Sequence, residues 1–188
     1  MMNIILLGPP GCGKGTQGEI LAERTGIVRV STGDLLRDAA GKGTPLGKKA
    51  KSYMDQGLLV PDEVIVGLLR EVLASARAAK GVIMDGFPRT VAQAEAVDTL
   101  LTERQRRVDQ VLFFDVPDEE LLRRITGRAA AEGRSDDNPE SFRQRLVAYR
   151  QQTQPLVDFY RRRGILVEIE AVGSIPEIAA RVQARVGM

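Results

Sequence analysis

Two features of the sequence could do chemistry: a glycine-rich run ending in a lysine, and a set of arginines spread beyond it. Residues 8–14, Gly-Pro-Pro-Gly-Cys-Gly-Lys, have the spacing G-x-x-x-x-G-K. Glycines at these intervals let successive backbone N–H groups converge on an anion. A helix starting directly afterwards adds uncapped donors and the positive end of its dipole. Lys14 then supplies a point charge for a β- or γ-phosphate. In the common form of such loops a Ser or Thr follows the lysine and binds Mg²⁺; here Gly15 follows, and the hydroxyl comes one later, at Thr16. Asp85 ends the apolar run Val82-Ile83-Met84 and is the carboxylate placed to hold magnesium instead, directly or through water. It suits a turn or helix cap as well. Cys12 reads as a small filler, because no second cysteine and no histidine is present to activate it.

A phosphate cradle points to a nucleotide, not to a reaction. A hydrolase needs one phosphate site, whereas a transferase needs a second pocket for an acceptor. Arg37 follows Asp34 by three residues, and Arg89 follows the stiff turn Asp85-Gly86-Phe87-Pro88. Arg124 and Arg128 are four apart and share a helix face. Arg134 and Arg145 come next, across a polar stretch. Any one of them alone reads as a solvated surface arginine. Together they flank the edge of the predicted sheet, where two phosphorylated substrates would need their charge neutralised. Guanidinium groups there stabilise a phosphoryl group in transfer. An acceptor that is itself a phosphate is already ionised, so a chain without histidine loses nothing by lacking that base. Asp136 and Asp137 either orient such arginines or cap the helix that begins near Pro139.

The elements that position these residues follow from pattern. The chain has 188 residues, enough for one domain with a small lobe at ~150 residues per domain. Apolar residues make up 43%, which supplies a core and excludes a disordered chain. Net charge is only +2, too little to suggest a nucleic-acid coat, although 21 of the 27 basic residues are Arg. One cysteine and no histidine exclude a disulfide, a Ser-His-Asp triad and a Cys/His zinc site. No apolar run approaches the ~18 residues of a membrane span. The start, Met1 to Leu7, reads as a first strand and not a signal peptide. An intracellular, reducing setting is expected.

Short apolar runs at Ile4–Leu7, Ile27–Val30, Gly81–Asp85, Val108–Phe114 and Ile165–Ile169 read as strands, the first as a central strand covered on both faces. Helical patterns lie between them: one from Lys14 to Gly26, one from Pro61 to Ala79, and one from Thr90 to Leu101. Further helices run from Pro117 to Ile125, from Pro139 to Tyr160 with a possible break at Pro155, and from Ile175 to Val186. Ser31, Thr32 and Asp34 supply capping groups for another. Residues 31–60 read as a small helical lobe. Residues 127–137 read as a solvated loop or a small mobile cover. Arg161-Arg162-Arg163 reads as a solvated helix end before Gly164. The sum is a doubly wound α/β sheet, mostly parallel, with its site at the strand C-terminal ends.

With the Gly8–Thr16 loop, Ser31-Thr32-Gly33-Asp34-Leu35-Leu36-Arg37 and Asp85-Gly86-Phe87-Pro88-Arg89-Thr90 in place, the chain resembles the adenylate kinase family over essentially its whole length. The resemblance implies a P-loop kinase fold with a five-stranded parallel sheet. It implies Mg²⁺-dependent, reversible phosphoryl transfer from ATP to AMP, giving two ADP. Gly11, Cys12, Gly13, Lys14, Gly15 and Thr16 would hold the ATP phosphates, Arg124 would pack on the ATP adenine, and Gly173 would complete the ATP site. Thr32, Arg37, Leu59, Val60, Gly86, Arg89 and Gln93 would line the AMP site. Arg128, Arg134 and Arg145 would close on the transferring group, and Asp85 would anchor hydrated magnesium. The resemblance further divides the chain into a core (1–30, 61–127 and 138–188), an AMP-binding segment (31–60) and a short lid (128–137) without zinc. It implies a cytoplasmic monomer whose partners are ATP, AMP and ADP, with no nucleic acid and no membrane. Two alternatives stand beside it. The similar UMP/CMP kinases usually carry Ala and Asn where this chain has Thr32 and Thr90, and a nucleotide-dependent switch would bind without transfer.

Overall fold

The apolar runs fold as strands β1 (Met2–Leu7), β2 (Val28–Ser31), β3 (Gly81–Asp85), β4 (Gln110–Asp115) and β5 (Leu166–Glu170). All four ladders are parallel, in the order β2-β3-β1-β4-β5. The computed structural model describes residues 1–41, 48, 51–53, 55–56, 60–132 and 139–187, with their side chains except at positions 35, 37–40, 64, 68, 71, 126–132 and 139.

The inner strands β1, β3 and β4 lack polar alternation because both faces of the sheet are covered there, whereas the edge strands β2 (Val-Arg-Val-Ser) and β5 (ending Glu-Ile-Glu) alternate. Ile5 and Leu7 join Val82, Met84 and Val111 in one core cluster; Ile4 and Leu6 join Ile83, Leu112, Phe114 and Ile169 in the other. On the first face pack α3 (Asp62–Ala74) through Ile65, Leu69 and Leu73, α4 (Val91–Thr102) through Ala94, Val97 and Leu101, and α7 (Pro155–Arg162) through Leu156 and Tyr160. On the second pack α1 (Lys14–Thr25) through Leu21, α5 (Asp118–Glu132) through Leu121 and Ile125, α6 (Pro139–Ala148) through Phe142, and α8 (Ile175–Val186) through Ile178 and Val182. Each fully buried Leu, Ile or Phe contributes ~1.5–3 kcal/mol, so packing rather than helix propensity holds these short helices.

Helix α2 (Thr32–Gly41) begins at the end of β2, where the Asp34 amide donates to Ser31 Oγ at 3.2 Å, as the capping residues predict. Several boundaries differ from expectation. Helix α3 stops at Ala74 and not Ala79: Ser75 is extended and its Oγ donates to Val72 O at 2.7 Å, and a 3₁₀ turn follows at Ala76–Ala78. Helix α5 continues past Ile125 to Glu132, into the stretch expected to be loop or cover. Ala129-Ala130-Ala131 carry no apolar periodicity but are the best helix formers available. The long helix expected from Pro139 to Tyr160 is two helices joined by a π-helical turn at Tyr149–Thr153, closed by Gln154 N donating to Tyr149 O at 2.8 Å.

Residues 48 and 51–53 are helical, in line with short helical pieces in that lobe. The rest of 42–59 other than 55 and 56, and residues 133–138, lie outside the described residues. At the end of α7, Arg161 pairs with Asp158 and Glu168, and Arg163 lies 3.9 Å over the Phe159 ring and pairs with Asp98. Among the described residues no helix is long and apolar enough to cross a membrane.

The crossovers from β1 and β3 leave in opposite directions. The chain after β1 passes through α1 to β2, and the chain after β3 passes through α4 to β4, on the other face. The crevice between β1 and β3 is therefore a topological switch point, where open α/β sheets bind ligands.

Candidate active site

β1 ends at Leu7 and the chain loops through Gly8–Gly13 into α1. Gly13, the residue before the helix, has φ 97°, a conformation that a side chain would strain. No side chain caps α1, which leaves its first amides for an anion. Lys14 Nζ donates to Gly8 O at 2.7 Å and to Pro9 O at 2.9 Å, and lies 3.3 Å from Cys12 Sγ. The ammonium is thus held against the loop by neutral acceptors, which an anionic phosphate oxygen outcompetes. Cys12 is fully buried beneath the loop, and its amide donates to Pro9 O at 3.3 Å. The thiol is packing.

At the end of β3, Asp85 is 8% exposed, and its Oδ2 accepts from Arg29 Nη2 at 2.6 Å. Arg29 also reaches Asp34 at 3.3 Å and Glu19 at 3.2 Å. Burial works against the Arg29 charge, but Asp85, Asp34 and Glu19 together hold its pKa above the usual guanidinium value. The chain then turns through Gly86 and a cis Phe87–Pro88 bond. Arg89 Nε donates to Gly86 O at 2.7 Å, and a Cβ on Gly86 would come within 2.9 Å of Thr32 Oγ1 and 3.3 Å of Arg89 Nη2. Thr32, Gly86 and Arg89 therefore meet at one point. Gln93 stands beside them: its Oε1 accepts from the Arg89 amide at 2.6 Å and its Nε2 donates to Asp62. Thr90 caps α4 by accepting from the Gln93 amide at 3.2 Å.

Helix α5 brings Arg124 over the loop from the other side. Its Nη1 donates to Cys12 O at 3.3 Å, Nη2 to Ala171 O at 2.8 Å, and Nε to Glu120 Oε1 at 2.7 Å. This places Arg124 between the phosphate loop and the segment carrying Gly173. Hydrogen bonds from Arg123 and Arg124 pull the Glu120 carboxyl down to about 2, so Glu120 remains a charged anchor. Tyr149 lines the same cavity from the π-helical turn. Burial, with the nearby Cys12 and Asp115, pushes its phenol far above the ordinary value, so it is neutral at working pH.

A single cavity of about 650 Å³ joins these groups, a size suited to nucleotides. Of the residues singled out in the sequence, it is lined by Gly11, Gly13, Lys14, Gly15, Thr16, Thr32, Val60, Asp85, Gly86, Arg89, Gln93, Arg124, Arg145 and Gly173. Cys12 lies beneath it. Leu59, Arg134, Asp136 and Asp137 lie outside the described residues, as do the side chains of Arg37 and Arg128, whose backbones are helical in α2 and α5. Sequence reasoning missed Arg29, Glu120 and Tyr149, which also line the cavity. A lone charge between Val28 and Val30 was the only signal for Arg29.

The donor set suits a magnesium held mainly through water. Asp85 Oδ1 accepts no hydrogen bond from a described residue, and among the described residues no three acidic or Cys side chains are placed to hold one metal ion together. A hard cation with that few protein ligands keeps most of its water shell.

The adenylate kinase family model matches residues 6–165. The chain is 52% identical over 178 residues to an adenylate kinase of Leptospira biflexa serovar Patoc, covering 95% of this chain and 96% of that protein. It is 51% identical over 185 residues to an adenylate kinase of Thermus thermophilus (98% and 97% covered) and 51% identical over 180 residues to one of Thermobifida fusca (96% and 95%). The loop, the turn after β3 and the arginine over the loop are thus found in a chain of that kind: this protein belongs to the adenylate kinase family.

Proposed function

We propose that the crevice between β1 and β3 binds ATP on the Lys14 side and AMP on the Arg89 side, and that the terminal phosphoryl group passes between them to give two ADP. One observation carries this reading: the Lys14 loop and the Arg89–Gln93 turn open into the same cavity from neighbouring strand ends. A hydrolase would have use for only the first.

Lys14 and the amides opening α1 bind the ATP phosphates, and Arg124 with the Gly173 segment flanks the base. Arg89, with Arg37, holds the AMP phosphate; Arg128, Arg134 and Arg145 gather charge as it spreads over the transferring oxygens. The acceptor phosphate is already anionic, so no base is required, and neutral Tyr149 serves to exclude water. Gln93 has used one N–H on Asp62 and one lone pair on the Arg89 amide; one N–H and one lone pair remain for a base edge. Asp85 is the residue that would hold hydrated magnesium, which when bound neutralises phosphate charge. The same reading assigns residues 31–60 to the AMP side, 128–137 to a cover over the transferring group, and the remainder to the core of a cytoplasmic monomer.

The test is a competition of acceptors. At fixed Mg-ATP, kcat/KM for AMP is expected to exceed those for CMP and UMP by about a hundredfold. A pyrimidine monophosphate that equals AMP overturns the assignment of the base. Tight nucleotide binding without transfer to any monophosphate overturns the transferase.

A further inference from the structure

Arg29 belongs to none of the motifs above, yet its guanidinium stands at the junction of the two phosphate sites. It leaves the middle of β2 and runs along α1 where two glycines make room. A Cβ on Gly18 would come within 3.2 Å of Arg29 Cδ and Nε, and one on Gly15 within 3.3 Å of Nη2. The side chain ends on Asp85, with Nη2 2.6 Å from Oδ2. The pair is well shielded, at 14% and 10% side-chain exposure, whereas Glu19 is 66% exposed. Of the three carboxylates around Arg29, Asp85 is therefore the one whose charge it offsets most.

We propose that Arg29 is a specificity-determining residue that sets how strongly nucleotide binding depends on magnesium, by acting as a fixed counter-cation on Asp85. This rests on the reading of Asp85 as the carboxylate facing hydrated magnesium. Asp85 with its charge uncompensated repels a metal-free polyphosphate and attracts the cation of the metal-bound one. A guanidinium locked onto it weakens both effects. The two forms of the nucleotide then bind more nearly alike than Asp85 by itself would allow.

The experiment is calorimetric and needs no turnover: the dissociation constant of the β,γ-imido analogue of ATP, measured in EDTA and in Mg²⁺, gives a ratio for each variant. Arg29→Gln is expected to raise the ratio of the EDTA value to the Mg²⁺ value about tenfold, on the order of one charge acting at an effective dielectric near 20. Arg29→Lys keeps the charge and stays near the wild-type ratio. Asp85→Asn lowers the ratio, and adding Arg29→Gln to it brings the ratio back toward the wild-type value, since the guanidinium acts on the charge of the ligand with or without Asp85 and the two removals offset each other. An Arg29→Gln ratio at or below wild type overturns the counter-cation and leaves the role of Asp85 standing. A ratio unmoved by Asp85→Asn overturns both. The double variant buries no unpaired charge, so if Arg29→Gln alone does not fold, the double variant against Asp85→Asn decides: a ratio that does not rise between those two overturns the proposal.

Discussion

Replacing Gly8 by Ala tests whether the phosphate loop is shaped by the packing beneath it. Gly8 has φ 151° at the point where β1 gives way to the loop. A Cβ there would lie 2.8 Å from Cys12 Sγ, 2.9 Å from Phe114 O and 3.2 Å from Phe114 Cβ, and both neighbours are fully buried. Two costs add. The backbone conformation, which side chains avoid, costs about 1–2 kcal/mol, and forcing a methyl into a filled core costs about 1–3 kcal/mol. The sum, about 2–5 kcal/mol, is a large part of the ~5–15 kcal/mol that holds a domain together. Urea unfolding followed by circular dichroism should show a lower midpoint at unchanged slope. Adding Cys12→Ala removes the sulfur contact but not the Phe114 carbonyl, so in a double-mutant cycle it should recover about 1 kcal/mol and not the whole loss. Because the loop shifts with its first residue, affinity for the ATP analogue should fall too. A Gly8→Ala protein within about 0.5 kcal/mol of wild type would refute the reasoning, since at these distances nothing could have yielded so cheaply.

Lys14→Met should lower kcat/KM by about 3 kcal/mol of transition-state stabilisation, roughly a hundredfold or more, while the urea midpoint moves little; turnover at the wild-type rate would remove Lys14 from the mechanism. The Glu120 carboxyl, held at about 2 by Arg123 and Arg124, should show that midpoint in a carbon-detected NMR titration. Because its pKa is depressed on folding, its stabilising contribution is complete above the ordinary value of 4.5 and is lost as pH falls from there through about 2. A midpoint near 4.5 would mean that the clamp on Arg124 does not form in solution.

The sheet was legible because strands buried on both sides are short apolar runs, and Ile4–Leu7 and Val82–Met84 contain no polar residue to obscure them. Lys14, Asp85 and Arg89 were legible because local chain geometry places them: Lys14 opens a helix, Asp85 ends a strand, and Arg89 closes the short turn between that strand and the next helix. The extension of α5 to Glu132 was hidden, since apolar periodicity vanishes beyond Ile125 and only alanine propensity carries the helix on. Arg29 was hidden for a different reason. Its partner Asp85 is 56 residues away, and contacts of that kind are created by the register of β2 on β3, with Arg29 beside Ile83 and Ser31 beside Asp85. Arg124 was expected on a base; its hold on two carbonyls, Cys12 O and Ala171 O, depends on where α5 docks and leaves no trace in spacing.

In the ladder between β1 and β3, Leu6 stands opposite Asp85. The Lys14 loop and the Arg89 turn therefore depart from adjacent strands within one residue of the same height, about 4.8 Å apart sideways. On the function proposed above, how far the two substrates sit from each other is inherited from a rigid backbone spacing, whatever the surrounding segments do. Anyone moving this chemistry to another scaffold would have to graft the paired strands, with their alignment intact, and could then vary the helices freely. Sliding one strand by a single residue would lift one cradle by about 3.3 Å and turn the Asp85 side chain to the opposite face of the sheet.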